Sequence, residues 1–208
     1  LQGLCDALTG GENVMPASIR AAHAGVTTGE WADTLRRVFG EYRAPTGVGA
    51  ARVTASDEGT ATLRSRVDAL SDDLGRRPKI LVGKPGLDGH SNGAEQIAVK
   101  ARDSGMEVVY DGIRLTPEEI VQSARDEGVH VVGLSILSGS HSLLVRDILQ
   151  RLDKEGLGDL PVIVGGIIPD DDAAGLLAAG VKRVYTPKDF DLSRIMGDIV
   201  DIVGEAAR

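Results

Sequence analysis

A doubly wound α/β domain with a five-stranded parallel sheet, preceded by helices, is the fold this sequence predicts. Three observations predict it. From residue 78 onward, short apolar runs alternate with amphipathic stretches five times in about 130 residues. Most of the runs are continuous in Val, Ile and Leu rather than alternating, as expected of strands covered by helices on both faces. Small or polar residues follow four of them: the glycine-rich loop from Gly83, then Ser135, then Gly165-Gly166, then Tyr185-Thr186-Pro187. Such an arrangement is flavodoxin-like, with expected strand order 2-1-3-4-5 and a crevice beyond the carboxyl ends of strands 1 and 3.

The elements follow in order. Residues 1 to about 43 read as helices. Thr27-Thr28-Gly29-Glu30 has the form of a capping box, and Trp31, Leu35, Val38, Phe39 and Tyr42 after it are spaced for one helix face. From about 44 to 59 the chain turns to Pro, Gly, Ala, Ser and Thr without a period, which is linker composition. A helix over 60–74 places Leu63, Val67, Leu70 and Leu74 on one stripe. Strands are predicted at 80–83, 107–110, 130–135, 162–164 and 183–185, and helices at about 92–104, 117–127, 141–155, 170–179 and 190–204. Thr116-Pro117-Glu118-Glu119 is a helix start, with Thr as N-cap and Pro at the first position. The expected division is a helical segment with its linker over 1–76 and an α/β domain over 77–208.

Composition narrows the function classes. The chain has 208 residues, 42% apolar and only 3% aromatic, enough for one full domain with an accessory segment. A net charge of −8 argues against a nucleic-acid surface, which needs clustered Lys and Arg. No apolar run approaches the roughly 18 residues of a membrane span, so no membrane segment is expected. The single cysteine, Cys5, forms no internal disulfide and is compatible with a cytoplasmic location. Beginning at Leu1, the chain reads as part of something longer.

The loop Gly83-Lys84-Pro85-Gly86-Leu87-Asp88-Gly89-His90-Ser91-Asn92-Gly93 carries the most chemistry. A lone surface histidine ordinarily does nothing, but here four glycines surround it and Asp88 stands two residues before it. A protein-only metal site needs three or four ligands, and no second His, Cys or carboxylate cluster accompanies His90. A corrin supplies four equatorial nitrogens, so one axial imidazole suffices, with Asp88 orienting the ring through its other nitrogen. Competing motifs fail. The glycine spacing is not Gly-x-Gly-x-x-Gly, and Gly83-Lys84 is followed by Pro85 rather than Ser or Thr, so neither a dinucleotide fingerprint nor a P-loop is present. A Ser135–His90–Asp88 hydrolase lacks the second glycine of a nucleophile elbow. A receiver domain would need an aspartate where Ser135 ends strand 3. Taken singly, Ser135 could merely end a strand and Gly165-Gly166 merely turn the chain.

Together, Asp88-Gly89-His90-Ser91-Asn92-Gly93, Ser135-Ile136-Leu137 and Gly165-Gly166 resemble the Asp-x-His-x-x-Gly … Ser-x-Leu … Gly-Gly signature of base-off/His-on cobalamin-binding domains. Segments 12–19, 25–31 and 38–47 further resemble the helical connection between barrel and cobalamin domain in adenosylcobalamin-dependent acyl-CoA mutases. Methylmalonyl-CoA mutases usually carry Asp-Arg in place of Ser91-Asn92 and Ala-Ala-Gly in place of Ser138-Gly139-Ser140. Here Lys84–Leu87 and Ser138–His141 are instead similar to ethylmalonyl-CoA mutases. The resemblance implies a radical carbon-skeleton rearrangement of an acyl-CoA, ethylmalonyl-CoA to methylsuccinyl-CoA before methylmalonyl-CoA and succinyl-CoA, with the cofactor carrying the chemistry.

It also implies site roles. His90 would be the lower ligand of cobalt, with Asp88 and Lys84 behind it. Gly89 and Gly93, flanking Ser91 and Asn92, would let the loop close beneath the corrin. Ser135 would bond the base of the displaced nucleotide tail, and Leu137, Gly165, Gly166, Tyr185 and Thr186 would line its channel. His141 would be a helix-start residue, and His23 and His130 inert. Implied partners are a (β/α)8 barrel binding the acyl-CoA, a second copy in a homodimeric full enzyme, and a G-protein chaperone. The chain alone would turn over no substrate. A corrinoid methyl carrier or a cobalamin-dependent sensor is the rival, although carriers usually show Asp-Ile where Ser91-Asn92 stand.

Overall fold

Two caps and one apolar stripe account for the helices of the first forty residues: α1 (Gln2–Thr9), α2 (Val14–His23) and α3 (Thr28–Phe39). Asn13 accepts the Met15 N–H at 2.9 Å to open α2, and Thr27 and Glu30 cap each other reciprocally to open α3. Leu4, Ala7, Leu8 and Ala17 form a small core, against which Trp31, Leu35 and Val38 pack. The Trp31 indole N–H donates to Ser18 Oγ at 2.9 Å. Phe39 departs from the stripe predicted for it: as the last helical residue it is 69% exposed.

The structure, a computed structural model, describes residues 1–40, 58–189 and 191–208. Tyr42 and nearly all of the predicted linker lie outside the described residues. The chain forms two compact units, Leu1–Thr54 and Ala55–Arg208.

In the second unit the chain runs α4 (Glu58–Leu74), β1 (Lys79–Gly83), α5 (Asn92–Asp103), β2 (Glu107–Val109), α6 (Pro117–Glu127), β3 (Val131–Ile136), α7 (His141–Lys154), β4 (Val162–Gly166), α8 (Asp170–Ala178), β5 (Arg183–Tyr185) and α9 (Leu192–Ala206). All strand pairs are parallel, in the order β2-β1-β3-β4-β5. The predicted topology is therefore the observed one. Helix α6 shows why such starts are legible in sequence: the Thr116–Glu119 capping box, Pro117 in the first turn, and a left-handed Gly128 (φ 56°) to end it.

Successive residues of each strand point to opposite faces, so each strand feeds two cores. Ile80, Val82, Val131 and Ile163 pack with Leu63 and Val67 of α4, Ala94 and Ala101 of α5, and Met196 and Ile199 of α9. Leu81, Val132, Leu134 and Val164 pack with Ile120 of α6, Ile148 of α7 and Leu176 of α8. Two-sided burial makes the strand sequences continuously apolar. Helix α4, which sequence grouping set with the N-terminal segment, lies in the second unit and packs on α9. Among the described residues no helix is long and apolar enough to cross a membrane.

Candidate cofactor-binding site

The face of the sheet that meets α5 and α9 changes character along the strands. Toward the amino end it carries Ile80, Val131 and Ile163; toward the carboxyl end the same face carries Gly133, Ser135 and Gly165. In register, Ser135 lies beside Gly165 and Ile136 beside Gly166. Large side chains thus give way to small ones, and a cavity of about 420 Å³ opens between the sheet and the N-terminal ends of α5 and α9. Leu137, Tyr185, Thr186 and Ile195 are among the residues that line it.

The two neighbouring glycines of β4 do different work. A Cβ on Gly165 would meet nothing within 4 Å, so this glycine faces open cavity. A Cβ on Gly166 would overlap the Ile136 carbonyl, so here glycine permits two strands to approach. Tyr185 presents its ring to the cavity, while its hydroxyl donates to Asp198 Oδ2 of α9 at 3.4 Å. Burial first, then the Asp198 charge, holds that phenol above its usual range, so it remains a donor. Thr186 is held by Asp189, which accepts the Thr186 N–H at 3.0 Å.

The loop after β1 joins Val82 and Gly93, which both line the cavity. Asp88, with a side chain only 6% exposed, is its hub. One carboxylate oxygen accepts the His90 backbone N–H at 3.0 Å and lies 2.7 Å from His90 Nδ1. The other accepts from Lys84 Nζ at 3.3 Å and from the Leu137 N–H at 3.2 Å. Lys84, its side chain 1% exposed, also donates to the Ser135 carbonyl at 3.2 Å. A buried ammonium is tolerated only when paired and hydrogen-bonded, and both conditions are met. The His90 backbone N–H is the main influence holding the Asp88 carboxyl well below the usual range; burial opposes it, and the His90 ring, Leu137 and Lys84 add to it.

An ionised Asp88 can only accept, so in the neutral ring Nδ1 carries the hydrogen and Nε2 keeps its lone pair. The His90 side chain is 78% exposed. A histidine oriented from behind by a carboxylate and open in front is arranged as a metal ligand. Among the described residues no group of three or more His, Cys, Asp or Glu could hold a metal ion. His90 alone would therefore suit only a metal that brings most of its own ligands. An oriented imidazole close to a cavity floored by Gly133, Ser135 and Gly165 would fit a corrin cobalt whose nucleotide tail has left the metal.

The other residues singled out in the sequence fall around this centre. Ser91 precedes α5 without a side-chain cap bond, and Asn92 and Gly93 are exposed in its first turn, with open space beside Gly93. Gly89 has the Arg114 guanidinium near it, 3.7 Å from where a Cβ would sit. His141 does begin α7, but it is buried and bonded. His130 accepts the Lys79 N–H at 2.8 Å and has a structural part at the amino ends of the strands, away from the cavity. Sequence reading missed the Leu137 N–H as a partner of Asp88, and the wall formed by Ile195 and Ile199. The first is a backbone group with no residue-type signature. The second was visible only as an apolar helix face.

A family profile for the B12 binding domain matches residues 78–188. The chain belongs to that family, whose ligand is cobalamin. It is 63% identical over 201 residues to an ethylmalonyl-CoA mutase of Cereibacter sphaeroides, a match covering 97% of this chain and 30% of the relative. A methylmalonyl-CoA mutase of the same organism is 36% identical over 200 residues, covering 94% and 28% respectively. The chain spans about 30% of the length of the curated relatives it matches. Among solved structures, a cobalamin-binding protein from Desulfitobacterium hafniense aligns with a TM-score of 0.54 at 19% identity, covering 97% of this chain and 95% of that one. That likeness concerns the fold.

Proposed function

We propose that this chain is the cofactor-holding part of an adenosylcobalamin-dependent acyl-CoA mutase acting on ethylmalonyl-CoA. The single observation that carries the binding mode is the Asp88–His90 pair, 2.7 Å apart, with Asp88 also bonded to the N–H of Leu137, which lines the cavity. His90 Nε2 would be the lower axial ligand of cobalt, with Asp88 fixing its tautomer and Lys84 balancing the Asp88 charge. Gly89, Ser91, Asn92 and Gly93 would border the corrin. Ser135, Leu137, Gly165, Gly166, Tyr185 and Thr186 would enclose the nucleotide tail.

When bound, the cofactor supplies radical chemistry that no side chain can. This chain's residues bind it, orient its lower face and exclude water from its tail. The substrate class is supported by identity nearly twice as high to the ethylmalonyl-CoA enzyme as to the methylmalonyl-CoA enzyme of the same organism. A (β/α)8 barrel carrying the acyl-CoA, a second copy of the full enzyme, a G-protein chaperone and a cytoplasmic setting belong to the same proposal.

The test is reconstitution with cob(II)alamin, read by electron paramagnetic resonance. Splitting from an imidazole nitrogen, absent in His90→Ala, is expected. Splitting from the cofactor's own benzimidazole in the wild type would sink the binding mode.

A further inference from the structure

The loop Ser138-Gly139-Ser140 between β3 and α7 has little to hold it, since no side chain in it is larger than a hydroxymethyl group. Gly139 is exposed with open space where a Cβ would be, and the Ser138 and Ser140 hydroxyls bond each other at 2.7 Å. Yet this turn must be placed accurately. Leu137, immediately before it, gives its N–H to Asp88 Oδ2. The loop bearing Asp88 and His90 also rests on the first turn of α7: a Cβ on Gly86 would come within 2.9 Å of Leu144 Cδ1.

His141 stands where an anchor is needed. It is the first residue of α7 and 4% exposed, so an unbonded imidazole there would be costly. Nε2 lies 2.9 Å from Asp172 Oδ2 in the first turn of α8, and Nδ1 lies 3.3 Å from the Ser138 carbonyl. That carbonyl and the N–H taken by Asp88 belong to consecutive residues. With a hydrogen on both ring nitrogens, as two acceptors require, a continuous line of bonded groups runs from Asp172 through His141, Ser138 and Leu137 to Asp88 and His90.

We infer that His141 is a positioning residue for the cobalt ligand: tied to Asp172, it fixes the Ser138–Ser140 turn and so the Leu137 N–H that helps aim Asp88 at His90. This rests on the axial role proposed for His90. Outer partners of metal ligands typically matter by about 10–100-fold in affinity, and His141, acting at one remove, belongs at or below the lower end of that range.

The experiment compares the wild-type chain with His141→Ala, His141→Gln and Asp172→Ala. Each is measured for affinity toward cobalamin and toward cobinamide, which lacks the tail, and for imidazole-nitrogen splitting from bound cob(II)alamin. His141→Ala is expected to weaken both corrinoids by up to about tenfold and to lower the imidazole-ligated fraction. Glutamine, whose amide N–H can reach Asp172, is expected to restore much of both. Asp172→Ala, made at a side chain 46% exposed, decides the matter if His141→Ala does not fold. Ligation by His90 in the wild type with unchanged splitting and affinity in the folded variants would overturn the role of His141 alone. Absence of imidazole splitting in the wild type would overturn both readings.

Discussion

At the scale of single residues, Asp88 is where electrostatics and binding meet. It is nearly buried, neutralises Lys84 and orients His90. Replacing it by alanine strands the Lys84 ammonium, and breaking a buried pair from one side costs about 3–5 kcal/mol. The pH dependence follows from its depressed folded value. The unfolded chain, with an ordinary aspartate near 3.9, takes up the proton first as pH falls, so stability rises with pH through that window. The margin of wild type over Asp88→Ala in urea unfolding should thus be flat above about pH 5 and shrink below about pH 4. A margin that grows toward acid would contradict the assigned interactions.

At the scale of elements, β4 offers a contrast between adjacent positions. Gly165→Val fills open cavity, so folding should persist while cobalamin binding falls by at least about tenfold, displaced contacts being worth on the order of 1–3 kcal/mol. Cobinamide, having no tail to displace, should bind as before. Gly166→Ala collides with the Ile136 backbone and should lower the melting temperature, at a cost of about 1–3 kcal/mol. Equal effects of the two on melting would refute the assignment of the cavity face. Strand order, the Thr27–Glu30 capping box, the Thr116 helix start and the Asp88–His90 pairing were legible in sequence because each rests on a local pattern: a period, a cap spacing or a two-residue step. The narrowing of the sheet face was half legible, as Ser135 and Gly165 are visible but their register is not. Groups defined only by tertiary contact left no trace, among them the Leu137 N–H on Asp88 and the Tyr185 hydroxyl on Asp198.

At the scale of the whole molecule, the position of α4 decides what folds as a unit. Its stripe announced an apolar face, but nothing in that stripe says which surface covers it. Leu63, Val67 and Leu70 are buried against α9, and each contributes about 1.5–3 kcal/mol. A chain beginning at Ala55 should retain the α/β melting transition and bind cobalamin as the longer chain does. One beginning at Arg77 should be destabilised by several kcal/mol, on the order of five, or fail to fold; equal melting of the two would show that α4 is dispensable. The hollow beside Gly165 has a consequence of its own. If the nucleotide tail sits where proposed, the protein leaves part of its interior unfinished, and the vitamin would complete its packing as well as serve it chemically. At a free concentration a hundred times Kd, occupancy adds about 2.7 kcal/mol to folding. Scarcity of the vitamin would then shorten the chain's lifetime against proteases as well as idle it.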